Sequence, residues 1–234
     1  MSGCVPDLCT LGLDEAGRGP VLGPLVMAGV VLRARRAAGL TRAGVMDSKS
    51  FGSGEDAHRH RSELLERILE VAESVVVRVV DVAEIDRRVL VRELNVLERE
   101  HAAVIIERSA PAHKILADGV KLFKPLAARF PTLVARDRAE SAHVAVAAAS
   151  IAAKVRRDEL FACIAQRYEP EFGKLTGGGY ENPATQRFLR AYVERYGRLP
   201  PEARRSWSWD SADYLPRGYV PRAEIPAGPQ LSPA

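Results

Sequence analysis

The chain has 234 residues, 47% of them hydrophobic and 27% charged, with a net charge of +4. That length can bury a sizeable core, and the balance is that of an ordinary soluble globular protein, not a disordered or fibrous one. The mild basic excess allows a polyanionic partner without demanding one, and because most of it is Arg it suits bidentate phosphate contacts.

Three cysteines (Cys4, Cys9, Cys163) have no metal-type spacing. Their odd number argues against a disulfide framework and for a reducing, cytoplasmic setting. No basic segment followed by a long apolar run opens the chain, so no secretory signal is expected. The most apolar stretch, residues 21–32, is too short and too interrupted to span a bilayer.

In chain order, the apolar run Cys9 to Leu13 predicts a strand that meets Asp14 and Glu15 and breaks into Gly17-Arg18-Gly19-Pro20. A second strand is expected within residues 21–32. Strand alternation would send Asp14 and Glu15 to opposite faces, so they converge only if the strand ends between them. Two carboxylates at a strand end, beside a glycine turn and one Arg, suit a divalent metal facing a phosphodiester. An ordinary solvated hairpin turn is the competing reading.

Residues 33–44 read as a basic connection leading to Asp47-Ser48-Lys49, and residues 52–61 as an exposed loop. Leu64, Leu65, Ile68, Leu69 and Ala72 recur at helical spacing over 62–72. The β-branched run 74–80 predicts a buried strand. Asp81 is placed to cap a short helix over 82–88, with a longer one over 91–109 closed by Pro111. Short strands are expected at 114–117, ending at Asp118-Gly119, and at 132–135. Residues 142–168 are Ala-rich with an apolar stripe and predict one long helix. Gly177-Gly178-Gly179-Tyr180 reads as a loop, and Pro183 opens a helix to Tyr196. Residues 1–215 are expected to form one catalytic domain with a helical C-terminal extension, and 216–234, rich in Pro and Gly, a disordered tail.

This order predicts an α/β fold with a mixed sheet: an antiparallel meander extended by parallel strands joined through helices. Asp14 and Asp118 both fall at carboxyl ends of predicted strands, the edge where open α/β sheets bind ligands.

Four segments stand out together: Asp14-Glu15-Ala16-Gly17-Arg18-Gly19-Pro20, Asp47-Ser48-Lys49, Ala117-Asp118-Gly119, and the run from Ala147 through Ser150-Ile151-Ala152-Ala153-Lys154 to Asp158. Gly179-Tyr180 with Pro183-Ala184-Thr185, and Arg204-Arg205-Ser206-Trp207, follow in the same order. Together they closely resemble the type 2 ribonucleases H (ribonuclease HII) from about Leu11 to Trp207.

The resemblance implies a ribonuclease H-like fold and hydrolysis of the RNA strand of RNA–DNA hybrids. It also implies incision 5′ to single ribonucleotides embedded in duplex DNA, leaving 3′-hydroxyl and 5′-phosphate ends. Four acidic residues in the family hold two Mg²⁺ or Mn²⁺ ions, and Asp14, Glu15 and Asp118 match three of them. The fourth is normally an Asp ten residues before the Ser of the Ala-Ala-Ser-Ile run, and counting back from Ser150 reaches Glu140. Here the sequence departs from the family. Asp137 can substitute only with a local gap in the match.

Gly17-Arg18-Gly19 resembles the family's ribonucleotide sensor, and glycine backbone can approach a ribose 2′-hydroxyl closely. Tyr180 matches the tyrosine that packs on the nucleotide junction, though a loop aromatic can equally dock on the core. Ser48 and Lys49 resemble phosphate contacts. Asp158 can as easily pair with an Arg as serve the site, and Ser150 reads as a small packing residue. No His or Cys spacing suggests zinc. The expected partners are RNA–DNA hybrid and ribonucleotide-containing duplex DNA, met as a monomer and away from membranes. The tail lacks the paired aromatics that would dock on a sliding clamp. A non-catalytic or weakly active hybrid-binding relative of the same fold is the alternative that the departure at Glu140 keeps open.

Overall fold

The computed structural model describes residues 8–47, 52, 54–207 and 213–225. Its five strands are β1 (Cys9–Ala16), β2 (Leu25–Arg33), β3 (Ser74–Val80), β4 (Lys114–Asp118) and β5 (Leu133–Arg136). They form one mixed sheet in the order β3-β2-β1-β4-β5. β1 pairs antiparallel with β2 and parallel with β4, and β4 pairs parallel with β5. The helices are α1 (Ala34–Arg42), α2 (Glu55–Val71), α3 (Val82–Leu90), α4 (Leu94–Arg108), α5 (Val120–Phe123), α6 (Val144–Phe172) and α7 (Pro183–Tyr196). No helix among the described residues is long and apolar enough to cross a membrane.

The chain clusters into two compact units. One takes the described residues of Met1–Ala16, Val26–Val79 and Asn95–Asp158; the other takes those of Gly17–Leu25, Val80–Leu94 and Glu159–Ala234. Each unit draws on three separate stretches, so no single linker in the sequence divides them.

In the first unit, the alternation of β1 sorts the core. Leu11 and Leu13 point to one face, where they pack with Ala102, Ile105, Leu122 and Phe123. Gly12 points to the other. A methyl group there would lie 2.1 Å from the backbone of Ala145, so only glycine lets α6 approach the strand this closely.

The second unit has its own core, built from Val21, Leu22, Ile164, Phe188, Leu189, Val193 and Leu199. α7 is framed by its ends. The Asn182 side chain accepts from the amides of Ala184 and Thr185, Pro183 takes the first turn, and Gly197 closes the helix at φ +67°. Asp86, 4% exposed, accepts from the amides of Arg205 (3.0 Å) and Ser206 (2.9 Å) and from the Ser206 hydroxyl (2.6 Å). Three donors on one buried carboxylate fix the 205–206 backbone.

Several elements differ from the sequence-based expectation. The basic connection is helix α1, which buries only Leu40 and exposes its arginines. The expected loop 52–61 is largely the start of α2, whose Ala57 and Arg61 face inward. β3 is an edge strand, not a buried one, with Val77 and Val79 exposed; a β-branched run does not say which place in the sheet it takes. Arg92, at φ +61°, separates α3 from α4. Of the expected tail, residues 221–224 form a 3₁₀ turn, and Glu224 accepts from Arg205 Nε at 2.8 Å. An ionic contact can order a segment whose composition alone reads as loose. Residues 226–234 lie outside the described residues.

Candidate active site

Parallel register brings Asp14 and Asp118 together. The last β1–β4 pair is Leu13 with Ala117, so Asp14 and Asp118 are the next residue of each strand, side by side at the carboxyl edge. β1 does not stop between its two acids. It stays paired with β2 through Glu15–Met27 and Ala16–Val26 while its ladder to β4 ends at Leu13. The expected strand end between Asp14 and Glu15 is therefore replaced by one-sided loss of a neighbour, and alternation in the unbroken strand gives the two acids opposite faces. The Glu15 amide donates to Asp14 Oδ1 at 2.9 Å.

Asp14 shares the face of Gly12, which is the face covered by α6. It is 7% exposed. Burial pushes its carboxyl up to about 6 and the nearby Asp118 adds to that, whereas the Ser150 hydroxyl, the Glu15 amide and Lys154 pull it back. Ser150 and Lys154 lie one turn apart on α6, so a single helical stripe meets the carboxylate. Asp158, one further turn on, is held by Arg61 (3.2 Å) and His58 (3.5 Å), which is the structural role weighed for it above.

Asp118 Oδ1 accepts from the Ala139 amide at 2.9 Å. That bond ties the carboxyl edge of β4 to the 3₁₀ turn Ala139–Ser141, in which Glu140 is 3% exposed. The turn is entered through Arg138 in the left-handed region, φ +58°, a costly conformation for a residue with a Cβ. Asp137 is exposed, and its Oδ1 accepts from the Val120 amide at 2.9 Å, at the start of α5.

Among the described residues, no three His, Cys, Asp or Glu side chains close into a metal cage. The donor chemistry nonetheless fits a hard dication. The acids at this edge offer only carboxylate oxygens, and Asp14 carries a buried charge that its neighbours leave only partly offset. Asp14, Asp118 and Glu140 are the residues that would hold it; Glu15, expected as a fourth ligand, is sent to the other face by the unbroken strand and is not brought beside them here.

In the second unit, Gly17-Arg18-Gly19 forms a turn with Gly17 at φ +85°. Tyr180 lies against it: its Cε1 is 3.1 Å from where a Cβ on Gly19 would stand, and the side chain is 55% exposed. The amides of Val21 and Leu22 both donate to Gly179 O, at 3.0 and 3.1 Å, which holds the Tyr180 loop beside the turn. Tyr180 is therefore not a core aromatic. Ser48 and Lys49 lie outside the described residues. Nothing in the motif Arg204-Arg205-Ser206-Trp207 assigned a role to Arg204, which the structure buries completely beneath the turn.

A mixed sheet with register-matched acids at the carboxyl edge of two parallel strands, and a long helix covering that face, is a nuclease scaffold of the ribonuclease H type. A family profile described as Ribonuclease HII matches residues 11–209. Ribonuclease HII of Thermococcus sibiricus is 32% identical over 206 residues, 84% of this chain and 87% of that protein. The crystal structure of ribonuclease H2 from Pyrococcus horikoshii superposes with a TM-score of 0.75 at 33% identity, covering 86% of this chain and 94% of that one. The Archaeoglobus fulgidus ribonuclease HII, solved in complex with PCNA, gives 0.72 at 31% identity over 86% and 96%. The chain belongs to the ribonuclease HII family.

Proposed function

We propose that this ribonuclease cleaves the RNA strand of RNA–DNA hybrids and incises 5′ to single ribonucleotides embedded in duplex DNA, leaving 3′-hydroxyl and 5′-phosphate ends. The observation that carries the reading is the register-matched pair Asp14 and Asp118, with Asp14 buried against Ser150 and Lys154. When bound, two Mg²⁺ or Mn²⁺ ions would activate water, offset charge on the phosphoryl oxygens and ease departure of the 3′ oxygen. The chain's own share is to hold carboxylates that crowd one another, with Lys154 offsetting part of that charge. Backbone groups of Gly17, Arg18 and Gly19 are suited to reading the ribose 2′-hydroxyl, and exposed Tyr180 to packing on the nucleotide. Ser48 and Lys49 would contact phosphate.

The protein is proposed to act as a monomer, and not to dock on a sliding clamp through residues 216–234, which lack paired aromatics. A weakly active, hybrid-binding protein is the second reading, favoured by the departure at Glu140. One assay separates the two. An all-DNA duplex, a duplex with one ribonucleotide and a continuous hybrid are each incubated with Mg²⁺, with Mn²⁺ or with EDTA. Incision at the single ribonucleotide and cleavage of the hybrid, both abolished by EDTA, are expected. Hybrid binding without cleavage in either metal would establish the second reading.

Tyr180→Ala is expected to lower incision at a single ribonucleotide about tenfold or more while changing duplex affinity less than threefold, because phosphate contacts dominate binding. Gel-shift titration beside single-turnover cleavage checks this. A loss shared equally by both measurements would remove Tyr180 from the nucleotide contact.

A further inference from the structure

We propose that Arg204 is the positioning residue of the Gly17–Gly19 turn, and that Trp207 locks it in place, so that the pair sets how sharply the enzyme singles out an embedded ribonucleotide. This deepens the reading above and rests on it. Arg204 is 0% exposed, although a guanidinium keeps its charge inside a protein and is rarely buried so fully. Its fork is spent on backbone. Nε donates to Gly23 O at 2.9 Å, Nη1 to Arg18 O at 3.0 Å and Nη2 to Gly17 O at 2.5 Å. The Trp207 ring lies 4.6 Å from the guanidinium carbon, and its Nε1 donates to Gly19 O at 3.2 Å. Three consecutive carbonyls, Gly17 to Gly19, are thereby bonded to one Arg–Trp pair. The Arg204 amide donates to Val21 O at 2.9 Å, so the same residue is stitched to the chain just after the turn.

The consequence follows from the planarity of the peptide bond. In a trans peptide the carbonyl of one residue and the N–H of the next point in opposite directions. Drawing the carbonyls of Gly17 and Arg18 onto Arg204 turns the amides of Arg18 and Gly19 the other way. The peptide after Gly19 leads into Pro20 and has no N–H. The turn thus presents two adjacent donors of fixed direction, the arrangement that grips a hydroxyl or phosphoryl oxygen. A lysine has a point charge with no planar fork, so it cannot hold these carbonyls in the same geometry.

The test uses the full-length protein, Arg204→Lys and Trp207→Phe. For each, kcat and KM are measured on a duplex with one ribonucleotide and on a continuous hybrid, alongside the melting temperature. A single ribonucleotide offers one productive register, whereas a hybrid offers many. Both activities fall, but kcat/KM on the single ribonucleotide falls about tenfold further than on the hybrid, and mainly through kcat. Trp207→Phe keeps an aromatic side chain beside the guanidinium and removes the bond to Gly19 O, so it decides the matter should Arg204→Lys not fold. An unchanged ratio between the two substrates in a folded Trp207→Phe protein would overturn the proposal, as would losses that only track melting temperature. If the wild-type protein does not incise the single ribonucleotide at all, it is the underlying reading that fails, and the two failures are told apart by that one control.

Discussion

Asp14→Asn lowers cleavage of every substrate by about a thousandfold or more, while duplex binding changes little. The amide keeps the shape of the side chain, but loses the charge with which a carboxylate holds a dication. A second readout needs no activity. Burial raises the Asp14 carboxyl from 3.8 to about 6, so ionising it costs more in the folded protein than in the unfolded chain. The sign follows from linkage. An acid whose pKa is higher in the folded state costs nothing below its unfolded value, and its penalty grows as pH rises from the unfolded value to the folded one and is complete above it. Near pH 8 and without metal, the penalty is on the order of 3 kcal/mol. Metal-free Asp14→Asn is therefore expected to melt several degrees above wild type at pH 8, with the gap closing as pH falls from 6 toward 4. Mn²⁺ should raise the melting temperature of wild type and move that of the variant far less. Near-wild-type cleavage by Asp14→Asn, or an equal Mn²⁺ response in both proteins, would remove Asp14 from the metal site.

The parts of this site that are local in sequence could be read from it. Apolar runs ending at Asp14 and at Asp118-Gly119 placed both acids at carboxyl ends of strands, and Pro183 marked the start of α7. What could not be read depends on distant pairing. That β1 loses one neighbour at Asp14 while keeping the other is decided by where β4 stops beside it, about a hundred residues later. The hold on the Gly17–Gly19 turn comes from Arg204, up to 187 positions away, and nothing in Arg-Arg-Ser-Trp says which arginine is buried. Asp86 in α3, which fixes the backbone of that same segment, looks in sequence like any polar residue on a short helix. A buried Arg and Asp in otherwise ordinary motifs become legible only when the elements they join are in place.

Glu140→Gln is expected to lower cleavage about a hundredfold or more, whereas Asp137→Asn leaves it within about threefold and Glu140→Asp retains most of it. The structure supplies the argument on both sides. Glu140 is 3% exposed in a turn whose first amide, that of Ala139, is bonded to Asp118. Asp137 is exposed, and its carboxylate already accepts the Val120 amide at the start of α5. An Asn at 137 keeps an acceptor there, so its cost is confined to the few tenths of a kcal/mol typical of an exposed substitution. Glu carries one methylene more than Asp, and its carboxylate therefore reaches about 1.5 Å further from the backbone. The tight 3₁₀ turn entered through left-handed Arg138 is where the chain can take up that extra reach. Mg²⁺ demands near-ideal geometry and Mn²⁺ tolerates more, so the wild-type enzyme should favour Mn²⁺ and Glu140→Asp should shift that preference toward Mg²⁺. Cleavage of the single-ribonucleotide duplex by the three variants, titrated in each metal, gives the comparison. Loss of cleavage in Asp137→Asn with none in Glu140→Gln would make Asp137 the fourth ligand and place a gap in the match between Asp118 and Ser150.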